Sequence, residues 1–147
     1  MSRLPAAVLF VCNLNRVRSP MAAGLTRKLY GDAMTVESCG LEPSDSIDPM
    51  VALVMQEVGI DLFDYQPKSF AELSPADFDV IVALSEDAWP LVQAASSHGV
   101  PEADHWPTDD PTAGEGSREM RLEAYRLVRR ALERRIIDRF GPPPEWE

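Results

Sequence analysis

The sequence predicts an α/β fold: one domain over residues 1–147, built on a central four-stranded parallel sheet with helices on both faces. Three observations carry this. Short apolar, β-branched runs alternate along the chain with stretches of helical periodicity, the signature of strand–helix–strand crossovers. The run Phe78-Asp-Val-Ile-Val-Ala-Leu84 is apolar at odd and even positions alike, as a strand covered on both faces must be. Finally, 147 residues with 45% hydrophobic content suit a single core and leave no room for a second.

Taken in order, Val8 to Val11 is the first strand, ending near Cys12, and Met21 to Tyr30 is the first helix, with Pro20 just ahead of it. Met34 to Cys39 reads as the second strand. Asp48-Pro49 opens the second helix as N-cap and first residue, and Val51, Val54, Met55 and Val58 form its apolar side up to a stop at Gly59. Residues 61–74 read as a loop with one helical turn, and Phe78 to Leu84 as the third strand. A helix is expected over Ser85 to Ser97, and a weak fourth strand around Pro101 to Trp106. The stretch Pro107 to Gly116 has the composition of a long loop, and long loops in compact domains are often functional. The last helix is expected from about Ser117 to Phe140, with Met120, Ala124, Leu127, Val128 and Ala131 as its apolar face. Gly141-Pro-Pro-Pro ends it, and residues 141–147 are expected to be a disordered tail.

Composition excludes several classes. A formal charge of −10 argues against nucleic acid and against an anionic membrane surface. No apolar run is long enough to span a bilayer, and Met1 to Pro5 leads into a strand rather than into a signal-peptide core. Two cysteines make no disulfide framework, so a reducing, cytoplasmic setting is expected. The only histidines, His98 and His105, belong to no cluster with metal-ligand spacing; neither a metal nor another cofactor is expected.

The chemistry concentrates in Cys12-Asn-Leu-Asn15-Arg-Val-Arg18-Ser19-Pro20. A loop that leaves a strand and feeds a helix N-terminus turns unpaired backbone N–H groups inward, and the helix dipole adds positive potential. Such a loop cradles an anion. Arg18 adds a guanidinium fork for two oxygens of a tetrahedral oxyanion, and Arg16 is a candidate second charge. The same field favours the thiolate of Cys12, which becomes the candidate nucleophile. Ser19 is placed to donate to that sulfur, and Asn15 tolerates a left-handed backbone in a tight loop. Asn13, Leu14, Asn15, Arg16, Val17 and Ser19 are therefore the candidate substrate-binding residues beside Cys12 and Arg18. Asp110, before Pro111 in the long loop, is the candidate general acid and base, with neighbouring Asp109 as the other possibility.

In this setting the Cys-x5-Arg-Ser stretch resembles the active-site loop of the low-molecular-weight protein tyrosine phosphatases and of their structural relatives, the thiol-coupled arsenate reductases. The resemblance runs through Ser38-Cys39-Gly40, Gly59-Ile60-Asp61, Asp110-Pro111 and the last helix. It implies a cysteinyl-phosphate route: Cys12 attacks a phosphorylated protein or small phosphomonoester, Arg18 and the loop amides hold the phosphoryl group, and Asp110 protonates the leaving oxygen. It also implies that Ser38 joins Asn15 and Ser19 in a network supporting the loop, with Tyr65 where a histidine is usual.

Departures from the pattern point elsewhere. Leu14 stands where the phosphatases usually carry Gly, and Val17 where a second Cys is frequent. Thr112 and Ala113 replace the aromatics that wall a phenyl ring. The segment from His105-Trp106 through Glu115-Gly116-Ser117 looks more like the arsenate reductases, yet Ala83 to Trp89 lacks the cysteines a thioredoxin-coupled relay needs. The main expectation is thus a phosphomonoester hydrolase. The alternative is an arsenate reductase that pairs Cys12 with a small thiol such as mycothiol or glutathione. A non-catalytic oxyanion binder is a third class. Cys39 is weighed as a resolving thiol for Cys12 against a small buried residue, and Trp89 and Trp106 as pocket walls against core residues.

Overall fold

The structure, a computed structural model, describes residues 4–97 and 101–146. His98 and Glu147 lie outside the described residues. Four parallel strands, β1 (Ala7–Cys12), β2 (Thr35–Gly40), β3 (Val80–Ala83) and β4 (Glu102–His105), form one sheet in the order β2-β1-β3-β4. The connecting helices are α1 (Arg18–Tyr30), α2 (Pro49–Gln56), α3 (Trp89–Ala95) and α4 (Arg118–Phe140). The chain leaves β1 towards β2 on one side and returns to β3 on the other. The C-terminal end of β1 is therefore the topological switch point, where open α/β sheets bind ligands.

The sheet divides the core in two. Val8, Phe10 and Cys12 face a large cluster with residues of α1, α2 and α4, whereas Leu9 and Val11 face a smaller one with Cys39, Phe78, Ile81 and α3. Residues Val8 to Val11 are fully buried, which explains the unbroken apolar run of β1. Helices do cover both faces, unequally.

Three local expectations shift. The first helix begins at Arg18 rather than Met21, so Pro20 sits inside the first turn, where its missing N–H costs nothing. The helix expected over Ser85 to Ser97 is confined to Trp89–Ala95. The segment before it turns, and the Ser85 hydroxyl donates to Asn13 Oδ1 at 2.6 Å, tying that turn to the loop after β1. The apolar face expected for the last helix is also corrected. Val128 alone of that set is buried, and Met120 and Leu127 are 64% and 58% exposed. The packed stripe is Leu122, Tyr125, Val128, Leu132, Ile136 and Phe140, which brings the larger side chains to the core.

The C-terminal segment expected to be disordered is described to Trp146. Tyr30 Oη donates to the Gly141 carbonyl at 2.6 Å, and a 3₁₀ turn runs from Pro144 to Trp146. No helix among the described residues is long and apolar enough to cross a membrane.

Candidate active site

The loop after β1 is shaped by the segment that follows β2. The N–H groups of Leu41, Glu42, Ser44 and Asp48 donate to the carbonyls of Cys12, Asn13, Leu14 and Arg16 at 2.9 to 3.2 Å. With its carbonyls bound on that outer side, the loop keeps its amides for the inner one, which is the polarity an anion needs. Gly40 permits the approach: a Cβ there would lie 2.7 Å from the Asn15 nitrogen and 2.8 Å from the Leu14 carbonyl carbon. Beyond the loop, α1 has no side-chain cap and no acidic residue in its first turn, so its N-terminus is free for a negative ligand.

Behind the loop, Asn15 adopts the left-handed backbone at φ 51 and is fully buried. Its amide donates to Ser19 Oγ at 2.8 Å and Ser38 Oγ at 3.2 Å. Its carbonyl accepts from Tyr65 Oη at 2.8 Å and from the Lys68 amide at 2.9 Å. Ser38 and Tyr65 hydroxyls bond each other. Ser19 Oγ accepts from Asn15, lies 3.0 Å from Cys12 Sγ and donates to the Cys39 carbonyl at 3.2 Å; its single proton would have to turn from that carbonyl to serve a thiolate at Cys12.

The cavity enclosed by the loop has a volume of about 200 Å3 and is lined by Cys12, Asn13, Leu14, Arg16, Val17, Arg18, Asp110 and Thr112. Of the expected substrate-binding residues, Asn13, Leu14, Arg16 and Val17 reach it. Asn15 and Ser19 do not line it: both are fully buried, and their side chains hold the loop from behind, which leaves only their backbone amides for a ligand. Leu14 is 47% exposed at the rim. Trp89 and Trp106 are not on this cavity. Trp89 stacks on His105 with centroids 5.0 Å apart, and Trp106 is buried against Phe10 and Phe140.

The long loop closes the other side. Arg18 Nη1 donates to the Thr108 carbonyl at 3.1 Å, which holds the guanidinium at the cavity. Asp110 lines the same cavity as Cys12, whereas Asp109 lines only the neighbouring groove along α4. The Asp110 carboxylate caps the 3₁₀ turn Pro111–Ala113, accepting from the Thr112 amide at 3.0 Å and hydroxyl at 2.7 Å. Burial pushes this carboxyl up, but the Thr112 hydrogen bonds and the charges of Arg18 and Arg16 outweigh it and hold it below its usual value.

Sequence reasoning missed the contacts made from a distance. Asn13 is fixed by Ser85 and by Asp87, whose Oδ2 accepts from Asn13 Nδ2 at 3.0 Å. Asp48, expected only as a helix cap, lies 3.6 Å from the Arg16 guanidinium. No local signal marks either. The question of Cys39 is answered by register: Cys39 pairs with Val11 and points into the cluster on the opposite face from Cys12. Burial, reinforced by the nearby Cys12, pushes its thiol up to about 12. Among the described residues no group of three or more His, Cys, Asp or Glu is arranged to hold a metal ion.

A cysteine, a loop with its amides turned inward and an arginine meet at the switch point of this sheet, the arrangement of a cysteine-dependent enzyme. The chain belongs to the low molecular weight phosphotyrosine protein phosphatase family, whose sequence model matches residues 7–139. It is 32% identical over 129 residues to an arsenate reductase of Halalkalibacterium halodurans, covering 88% of this chain and 91% of that protein. It is 31% identical over 129 residues to a glutaredoxin arsenate reductase of Synechocystis, covering 88% and 92%. A solved structure of an arsenate reductase in the phosphate-binding state superposes with a TM-score of 0.78 at 29% identity, covering 92% of this chain and 96% of that one.

These relatives correct the main functional expectation. The Cys-x5-Arg-Ser loop suggests a phosphomonoester hydrolase, but these three relatives, at 29–32% identity and nearly end to end, are arsenate reductases. The loop alone is silent on the difference, because arsenate and phosphate share charge and tetrahedral shape.

Proposed function

We propose that this protein is an arsenate reductase with one working cysteine, Cys12, whose electrons come from a small cellular thiol such as mycothiol or glutathione. The observation that carries the reading is that Cys12 is the one thiol on an oxyanion-sized cavity. The only other cysteine is turned to the far face of the sheet. The arsenate reductase relatives support the substrate. The wall residues Thr112, Leu14 and Val17 provide no aromatic surface for a larger ester.

Arg18, Arg16 and the inward amides of residues 13–19 hold the arsenate oxygens. The Cys12 thiolate, stabilised by the Ser19 hydroxyl, attacks arsenic. One arsenate hydroxyl departs with a proton from Asp110 and leaves as water, giving a sulfur–arsenic(V) adduct. Asp110 is ionised in the empty site; the incoming oxyanion's negative charge raises its proton affinity, and it takes up the proton that Cys12 releases on becoming the thiolate. An external thiolate then attacks Cys12 Sγ, and the sulfur–arsenic electron pair passes to arsenic, which leaves as arsenite. A second thiol cleaves the resulting mixed disulfide and restores Cys12. The sum is arsenate plus two thiols to arsenite, one disulfide and water. A reducing, cytoplasmic compartment supplies such thiols.

The test is arsenite formation with arsenate and glutathione or mycothiol, for wild type, Cys12→Ser and Asp110→Asn. The reading expects turnover that requires added thiol, vanishes in Cys12→Ser and falls about 10²–10⁴-fold in Asp110→Asn. Thiol-independent turnover, or full activity in Cys12→Ser, contradicts it.

A further inference from the structure

Asp48 does more than a helix cap requires. Its Oδ1 accepts from the Met50 amide at 2.8 Å, which completes the N-cap of α2. Ser, Thr or Asn would serve equally well there. Yet Asp48 is buried, and its second oxygen accepts from the Tyr125 hydroxyl of α4 at 2.7 Å. A buried carboxylate is costly without a cation nearby, and the cation is Arg16, whose Nη1 lies 3.6 Å from Asp48 Oδ2. The contact is doubled on the backbone, where the Asp48 amide donates to the Arg16 carbonyl at 3.2 Å.

Arg16 is a long side chain at the mouth of the cavity that holds Cys12, and its side chain is about one-third exposed. Left alone it would sample many rotamers in water. One terminal nitrogen faces Asp48, and the remaining N–H groups of the guanidinium stay available on the cavity side. We infer that Asp48 is a positioning residue for oxyanion binding, orienting the Arg16 guanidinium at the cavity, and that Tyr125 fixes Asp48 for that task. α4 is thereby linked to the active-site loop through three side chains.

Two effects oppose each other. Asp48 orients Arg16, which favours anion binding, and its negative charge partly cancels the field of Arg16, which opposes it. Arg16 contributes, with Arg18, to holding the Asp110 carboxyl low, so its positive field reaches the cavity. Orientation is inferred to be the larger effect, and the sign of the change in anion affinity in Asp48→Asn decides it.

The inference rests on the oxyanion reading of the cavity and is independent of arsenate turnover, so inorganic phosphate is the probe. Phosphate binding is measured by calorimetry for wild type, Asp48→Asn, Tyr125→Phe, Arg16→Met and Asp48→Asn with Arg16→Met. KM and kcat for arsenate are measured alongside. Asp48→Asn keeps the cap oxygen and the volume. The expected result is phosphate binding weakened about five-fold by Asp48→Asn, and in the same direction but less by Tyr125→Phe. The arsenate KM rises in parallel with kcat within about two-fold, and Asp48→Asn has no further effect once Arg16 is Met. Tighter binding in Asp48→Asn would show that cancellation dominates and overturn the inference. An equal loss with and without Arg16 would show a merely structural role and also overturn it. Absence of phosphate binding by the wild type would remove the oxyanion reading and this inference together. If phosphate behaves as expected but arsenite never forms, the inference stands and the reductase reading falls.

Discussion

Cys12 and Cys39 lie on adjacent strands, one residue out of register, and project from opposite faces of the sheet. A disulfide between them would need both β-carbons on one side, so joining them requires breaking the β1–β2 ladder. Cys39→Ala is therefore expected to leave arsenite formation within about two-fold of wild type. Peptide mapping of oxidised protein should show no Cys12–Cys39 link. A Cys12–Cys39 disulfide in the folded protein would contradict this arrangement.

Gly40 is expected to tolerate no side chain, because the atoms a Cβ would meet belong to the backbone of Asn13, Leu14 and Asn15. Gly40→Ala must displace the loop, at a cost of about 1–3 kcal/mol. Phosphate titration should show at least a ten-fold loss of affinity, and thermal melting a lower midpoint.

The two apolar stripes of α4 are separable by mutation. Leu132 is buried in the core and Leu127 is exposed. Denaturant unfolding should show Leu132→Ala destabilised by about 2–5 kcal/mol, and Leu127→Ala by no more than about 0.5 kcal/mol.

Those stripes also show what the sequence makes legible. A period of 3.6 identifies α4 as a helix but offers two faces, Met120-Ala124-Leu127-Ala131 and Leu122-Tyr125-Leu132-Ile136, and only packing against α1 and α2 chooses between them. The nucleophile loop is legible because its signals are local: an apolar strand, Cys12, Arg18 and Pro20 in a short span. Its polarity is not, since it depends on amides of residues 41–48 reaching carbonyls some thirty residues earlier. Asp110 is brought forward by the composition of its loop and by the resembling Asp-Pro, and it lines the same cavity as Cys12. The Thr108 carbonyl on Arg18, 90 residues away, and the Tyr125–Asp48 bond, 77 residues apart, are tertiary contacts with no sequence signature. The end of β3 misleads for a related reason: Ser85 Oγ accepts from the Ala88 amide at 3.3 Å as a cap would, but its proton goes to Asn13 and regular helix begins only at Trp89.

Glu57 provides a pH test. Hydrogen bonds from Arg126 and Arg129, together with their charges, hold its carboxyl down to about 2. A carboxyl lowered on folding contributes stability that is present above its unfolded value, near about 4.3, and is lost as pH falls towards the folded value. The melting-temperature gap between wild type and Glu57→Gln should be largest near neutral pH and narrow below about pH 4. Being partly exposed, the group contributes modestly, and the gap should also shrink in high salt.

In the proposed cycle an external thiol, and no second protein cysteine, resolves the arsenic adduct on Cys12. Mass spectrometry of the intact protein, quenched during turnover with arsenate and limiting glutathione or mycothiol, tests it most directly. The account predicts one thiol molecule bound through a disulfide to Cys12, absent when arsenate is omitted and absent in Cys12→Ser. Arsenite release with Cys12 free of any mixed disulfide, or with Cys12 joined to Cys39, would contradict it.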